Sequence, residues 1–158
     1  MDVITDQDRF SVSLACPGAP ETVWQVLTDP IHIVEWWGDY VTFTPGPGGG
    51  LVEEWQDADG VAKVTRAQIV EWAPPVGLDK PGRMVLDWAD EDWTGSTRVS
   101  INLKAEAEGK RTRLSLEQRG WAGLGLDDGE RDRLVAEHAA GWSVHFRDLR
   151  SLVMAKRP

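Results

Sequence analysis

The chain has 158 residues, of which 41% are hydrophobic and 27% are charged, and its formal net charge is -9. Such a length fits one domain that buries about two-thirds of the surface of the extended chain, so no disulfide or metal is needed to hold it together. The acidic charge argues against nucleic acid and anionic membrane surfaces as partners, and no segment is apolar over the length that crosses a bilayer. We therefore expect a single domain over residues 1–158 without a membrane span.

The N-terminal segment and the cysteine content bear on location. Residues 1–8 are acidic and lack both a basic start and an apolar run, which argues against a signal peptide. We expect this segment to be flexible. Cys16 is the single cysteine, so no intramolecular disulfide is expected, and a lone cysteine fits a reducing compartment. The predicted location is the cytoplasm.

The first third of the chain predicts one strand followed by two short helices. Apolar and polar residues alternate over residues 9–14, as in a half-buried strand. A helix is expected to begin near Pro20, because proline favours the first helical position. Asp29 and Pro30 then provide an N-cap and a first residue for a second helix, which Gly38 ends.

The middle of the chain predicts an antiparallel meander. Six segments are rich in β-branched or alternating residues, and turn-forming residues separate them. The segments are 41–44, 51–56, 61–72, 83–89, 97–105 and 112–118. The alternation is clearest at Met84, Leu86 and Trp88, whose side chains are therefore expected to point inward.

The C-terminal part predicts one long amphipathic helix. It is expected to begin after Asp127 or Asp128 and to run to about Met154. One stripe holds its apolar residues and both histidines, namely Leu134, Val135, His138, Gly141, Trp142, His145, Phe146, Leu149, Leu152 and Val153. The preceding segment, residues 120–126, is expected to be a mobile loop with exposed apolar side chains.

Several motifs, in this order, resemble a known family. They are Pro20 to Pro30 with Trp36-Trp37, Gly49-Gly50, Gly60, Val70 to Pro75, Met84 to Trp88, and Gly141-Trp142 with Leu149. They are similar to the SRPBCC (START and polyketide cyclase) superfamily, and within it to the branch named for the activator of heat-shock protein 90 ATPase homologue. The resemblance covers about residues 10–153. The chain looks like a stand-alone bacterial member of this branch.

The resemblance implies an α+β helix-grip fold. In this fold a strongly curved antiparallel sheet, here of about seven strands, wraps around the long C-terminal helix, and two short helices follow the first strand. Members of the superfamily bind lipids, sterols, hormones or polyketides in a cavity between the sheet and the long helix, and only some of them are catalysts.

Three functions are therefore open. The leading one is a binding protein for a small hydrophobic molecule, such as a lipid, an aromatic compound or a polyketide-like compound. The second is an enzyme of the polyketide cyclase or dehydratase kind, although no nucleophile triad is signalled and no cofactor is predicted. The third is a chaperone-interaction or homodimerisation module that uses exposed Trp93 and Trp121. The absence of a catalytic signature favours binding over catalysis.

Polar candidates for the cavity are His138, His145 and Gln118. The two histidines lie seven residues apart within the apolar stripe, where they can anchor a ligand carboxylate, carbonyl or hydroxyl. Alternatively, each caps the edge of the core and bonds to a backbone carbonyl. A metal site is not predicted, because two helical turns separate the histidines by roughly 10 Å.

Four tryptophans and several carboxylates complete the candidate set. Trp37, Trp55, Trp88 and Trp142 come from four elements that converge in this fold, so they either form flat walls for a ligand or fill the space themselves. A buried carboxylate on a strand can act as a general acid or base, whereas an exposed one belongs to the solvated outer face. The carboxylates concerned are Glu53, Glu54, Glu71, Asp87 and Asp90.

Overall fold

An antiparallel sheet of eight strands and three α-helices make up the computed structural model, which describes residues 1–156. The strands are β1 (Asp2–Thr5), β2 (Arg9–Cys16), β3 (Val41–Thr44), β4 (Gly50–Gln56), β5 (Ala62–Ala73), β6 (Gly82–Asp90), β7 (Thr97–Glu106) and β8 (Arg111–Arg119). The helices are α1 (Pro20–Thr28), α2 (Pro30–Trp36) and α3 (Asp128–Ala155). The strand order is β1-β2-β8-β7-β6-β5-β4-β3, and the curled sheet packs around α3. The predicted helix-grip fold is confirmed.

The sheet has one strand more than the seven predicted. Strand β1 pairs with β2, with Val3 opposite Val12, within the segment for which we expected flexibility. All four residues of β1 are exposed. A strand without a buried face has no apolar alternation, and for this reason the sequence pattern did not indicate it.

The starts of the helices follow the predicted capping chemistry. Pro20 begins α1, and Pro30 begins α2. The side chain of Asp29 accepts a hydrogen bond of 2.9 Å from the backbone N–H of Ile31, so it satisfies one of the free donors at the start of α2. Asp127 caps α3 in the same way through the N–H of Glu130, at 2.8 Å.

Helix α3 buries the predicted stripe against the concave face of the sheet. Phe146, Leu149 and Val153 are fully buried, and Val135 and Trp142 are almost so. The residues predicted to lie outside the stripe, Glu137, Arg147, Asp148, Arg150 and Ser151, are all exposed. Within residues 1–156, no helix is both long and apolar enough to cross a membrane.

The segment before α3 differs from the prediction of an exposed loop. Trp121 has no exposed surface and Leu124 only 3%, within a short 3-10 turn over Trp121–Leu124. The indole N–H of Trp121 donates to the carbonyl oxygen of Gln118 at 3.2 Å. Trp93, expected to be exposed, is half-buried against Trp121, with ring centroids 5.4 Å apart. Glycines interrupt the segment, so no periodic pattern indicated that it packs inward.

Candidate ligand-binding site

Two neighbouring rows of side chains cross the concave face of strands β4, β5 and β6. In the first row, Leu51 is paired with Ala67, and Ala67 with Trp88. The second row lies two residues away from the first on each strand and pairs Glu53 with Thr65, and Thr65 with Asp90. Because residues two apart in a strand share a face, these polar side chains point inward, as their apolar neighbours do.

Hydrogen bonds connect the polar row to tryptophans on either side. The indole N–H of Trp55 donates to Oγ1 of Thr65 at 2.9 Å, and the Thr65 hydroxyl donates to Oδ1 of Asp90 at 2.6 Å. The indole N–H of Trp37 donates to Oε2 of Glu53 at 2.9 Å. Two separate sets of hydrogen bonds therefore hold the polar row, Trp55–Thr65–Asp90 and Trp37–Glu53, and an indole is the donor at the start of each.

Burial raises the pKa of both carboxyl groups in this row. For Glu53 the nearby Asp90 carboxylate adds to the increase, and the hydrogen bond from Trp37 opposes it. For Asp90 the hydrogen bond from Thr65 and the proximity of His138 oppose the increase in pKa. By contrast, Glu54 and Glu71 are exposed, as most strand carboxylates are expected to be.

The deep part of the interior is filled by aromatic side chains. The ring of Trp37 is stacked on that of Trp88, with centroids 6.1 Å apart, and contacts Trp142 edge to face, with centroids 5.0 Å apart. The ring centroid of His145 lies 4.8 Å from that of Trp37. Behind these rings, towards Met84, the remaining void measures about 20 Å³, which is close to the space of one water molecule.

A larger pocket, open to solvent, lies on the outer side of this aromatic cluster, between α3 and the β4 side of the sheet. Its volume is about 580 Å³, within the range of small-molecule sites. It is lined by Trp37, Tyr40, Glu53, Glu54, Trp55, Gln56, Thr65, Trp88, Glu137, His138, Gly141, Trp142 and His145. Six of the seven predicted site residues are thus brought together.

Gln118 is the predicted site residue that the pocket lacks. It lies on β8, four strands away from β4 in the sheet, and is fully buried. Its side-chain N–H donates to Oγ1 of Thr97 at 2.9 Å, and Thr97 in turn donates to the carbonyl oxygen of Trp88 at 3.0 Å. Gln118 therefore supports the sheet beneath Trp88 and does not reach the pocket.

Burial disfavours the charged form of both pocket histidines. Nδ1 of His138 lies 2.9 Å from the carbonyl oxygen of Leu134, which can only accept, so Nδ1 carries the proton. Burial lowers the pKa of His138, and Asp90 is among the groups that oppose this effect. Burial also lowers the pKa of His145, to about 4, with Asp148 opposing. The alternative of a bond to a backbone carbonyl therefore holds for His138, which also lines the pocket.

The low pKa of His145 makes a pH dependence of stability testable. Protonation favours the unfolded state between the ordinary value of 6.5 and the folded value of about 4. As the pH falls through this window, we expect the native chain to lose about 1–3 kcal/mol relative to a His145→Phe variant, which keeps an aromatic ring there. Thermal melting of both proteins across this range checks the prediction, and a difference independent of pH would contradict it.

The pocket contains residues that the sequence did not single out. Thr65 shares the inward phase of Ala67 and Ile69, a signal that was available in the alternation. Gly141 was noted as part of a motif and of the stripe on α3, but not as a site residue. A Cβ placed there would have no neighbouring atom within 4 Å, so this helical glycine faces open space. Within residues 1–156, no group of three or more potential ligand side chains is placed to hold a metal ion.

A curved sheet that grips a C-terminal helix, with an aromatic pocket beside that helix, defines a helix-grip domain of the SRPBCC type. The model of the family described as "Activator of Hsp90 ATPase homolog 1-like protein" matches residues 18–154. The chain belongs to this family. A search of curated proteins finds no match.

Solved structures with the same fold are numerous. A protein from Rhodobacter sphaeroides has a TM-score of 0.72 at 19% identity, with 99% of each chain covered. DynU16, a protein in the dynemicin biosynthetic locus, has a TM-score of 0.70 at 20% identity, covering 98% of this chain and 49% of its own. CalU16 from Micromonospora echinospora has a TM-score of 0.66 at 18% identity, covering 95% of this chain and 76% of its own. At these low identities, the TM-scores establish a shared fold and nothing more.

Proposed function

We propose that the chain binds a small, largely apolar molecule with an aromatic or polyketide-like ring system in the pocket beside α3. The observation that carries this proposal is the pocket of about 580 Å³ with Trp37, Trp55, Trp88 and Trp142 in its walls. Contacts between aromatic rings contribute about 0.5–1.5 kcal/mol each beyond the burial of area. The position of DynU16 in the dynemicin biosynthetic locus agrees with a ligand of this class.

We expect the ligand to bind in this open pocket, at its solvent-facing mouth, and not in a deep internal cavity. The deep void holds only about 20 Å³, too little for any ring. Binding there requires no displacement of Trp37 or Trp142, which hold each other in place with their ring centroids 5.0 Å apart. A preformed wall lowers the entropy that binding costs.

A thermal-shift titration with 2-naphthylmethanol tests this function. A ligand present at about 100 times its dissociation constant adds about 2.7 kcal/mol to the free energy of unfolding. For a chain of this size we expect the melting temperature to rise by roughly 5–10 °C. Glycerol, which has no apolar ring, serves as the control compound. If no bicyclic aromatic compound produces a saturable rise, the proposed function is wrong.

Acid–base catalysis on the bound molecule is the second candidate, and a specific observation favours it. Glu53 has a raised pKa and lines the same pocket as His138, whose Nε2 is left as an acceptor. Such a pair can donate and accept a proton. Incubation with aromatic β-hydroxy ketones, followed by mass spectrometry, separates the two functions. Catalysis predicts loss of water that Glu53→Gln abolishes, whereas binding predicts unchanged compound.

The third candidate, a chaperone-interaction or dimerisation surface, loses its main support. Trp121 is buried and Trp93 is half-buried against it. A homodimer and a cytoplasmic location stay predictions, which sizing by light scattering and fractionation of the source cell would check.

A further inference from the structure

We propose that the ligand carries a positively charged amine beside its ring system. This inference rests on the proposed function and specifies the chemistry of the same pocket. Three carboxylates line the pocket, those of Glu53, Glu54 and Glu137, and the described lining residues include no lysine or arginine. The charged side chains that line the pocket are therefore all acidic, and they share it with a set of tryptophan rings.

The carboxylates of the sheet fall into two groups. Several on the sheet surface are paired with arginine: Glu71 with Arg83 at 3.1 Å, Asp87 with Arg98 at 2.7 Å, and Glu106 with Arg113 at 2.7 Å. Glu53, on the concave face, has only the indole N–H of Trp37 as a hydrogen-bond partner and a second carboxylate, Asp90, nearby. Glu53 is half-buried, and a carboxylate that is partly withdrawn from water without a countercharge is costly. The missing countercharge points to a cationic ligand.

Two cations in the adjoining groove are already paired. Arg133 contacts Glu137 at 3.0 Å on the exposed side of α3. Lys63 contacts Asp92 at 2.8 Å in the neighbouring groove. Arg133 and Lys63 each have a carboxylate partner of their own. Neither lines the pocket that contains Glu53.

Hydrogen bonding at the polar end of the pocket favours a ligand that donates. The N–H groups of Trp37 and Trp55 and the hydroxyl of Thr65 donate within the protein. Oε1 of Glu53 and Nε2 of His138 are left as acceptors. Among the lining residues, the side-chain donors without a partner in the protein are those of Trp88, Trp142 and His145 in the aromatic cluster and those of exposed Tyr40 and Gln56. An ammonium group supplies donors and charge together at the polar end.

The tryptophan rings add to the recognition of such a group. A cation within about 6 Å of an indole face is attracted by the ring quadrupole, and tryptophan is the strongest of the aromatic side chains in this respect. Trp37, which is hydrogen-bonded to Glu53, and Trp55, which is hydrogen-bonded to Thr65, lie on the same pocket wall as Glu53. An aromatic amine can therefore place its ring on the aromatic cluster and its ammonium beside Glu53.

Three probes with one ring system test this inference by calorimetric titration at neutral pH. They are 2-naphthylmethylamine, which is cationic, 2-naphthylmethanol, which is neutral, and 2-naphthoate, which is anionic. We expect the amine to bind about tenfold more tightly than the alcohol, and the carboxylate about tenfold more weakly. Equal or tighter binding of the alcohol or of the carboxylate by the native chain would overturn the inference while leaving the proposed function intact.

A matched pair of variants locates the effect. Glu53→Gln keeps the size and the acceptor for Trp37, so we expect it to abolish the preference for the amine and to bring the dissociation constants of the amine and the alcohol within about threefold of each other. Glu71→Gln removes the same charge from the outer face and should keep the preference. Persistence of the preference in Glu53→Gln would contradict the inference. Absence of binding by all three probes would contradict the proposed function and this inference with it.

Discussion

Replacing Trp121 with alanine is expected to lower the free energy of unfolding by about 3–5 kcal/mol. The side chain is fully buried, and its indole N–H donates to the carbonyl oxygen of Gln118. Its ring centroid lies 6.3 Å from that of Phe10 and 4.8 Å from that of His138. Alanine would leave a cavity beside His138 of α3 and would remove the indole donor to that carbonyl oxygen. Chemical denaturation of the native and variant chains measures the loss.

The matched control for this prediction is Ile31→Ala. Ile31 is 72% exposed on α2, so the change should alter the free energy of unfolding by no more than about 0.5 kcal/mol. A loss below about 1 kcal/mol for Trp121→Ala would show that the segment over Trp121–Leu124 is a mobile loop, as its glycine content suggests, and that the burial of Trp121 described above is wrong.

Replacing Gly141 with leucine is expected to weaken binding of 2-naphthylmethanol by about 10- to 100-fold without unfolding the chain. Gly141 lines the pocket, and a Cβ there meets no atom within 4 Å, so the leucine side chain extends into space that the ligand would occupy. Overpacking of this kind costs about 1–3 kcal/mol, and here that cost lowers the binding free energy of the ligand. Glycine within a helix is itself unfavourable, so the variant should melt at the same or a higher temperature.

Two companions make the Gly141 result interpretable. Gly141→Ala adds only a methyl group and should stabilise the chain by about 1 kcal/mol or less, with nearly native binding. Ala140→Leu adds bulk at an exposed position of the same helix that does not line the pocket, and should leave binding unchanged. Native affinity in Gly141→Leu would contradict the assignment of the pocket as the binding site.

The sequence predicted most of the fold because its patterns are local. Alternation at Met84, Leu86 and Trp88 and the stripe on α3 identify buried faces without any knowledge of pairing. Capping residues such as Asp29 locate helix starts to within a residue. By contrast, β1 has no buried face, so its pairing with β2 depends on backbone hydrogen bonds that leave no mark in the sequence.

The site was predicted less completely, for two reasons. Gln118 shares the inward phase of β8, but the strand order places it away from the pocket, and strand order is a long-range property. Glu53 has the same phase as Leu51, and Asp90 the same as Trp88, so alternation indicated that both point inward. Their charge favoured the solvated outer face, and charge proved the poorer guide of the two.

The most direct measurement of ligand binding in this pocket is a nitrogen–proton NMR titration of the indole N–H signals. The chain has nine tryptophans, so nine such signals report on separate places in the fold. On addition of 2-naphthylmethanol we expect the largest saturable shifts at Trp37, Trp55, Trp88 and Trp142, which line the pocket. Trp24 and Trp72, which pack against each other away from it, should be unchanged. Saturable shifts centred on that distant pair, or none at all, would contradict ligand binding beside α3.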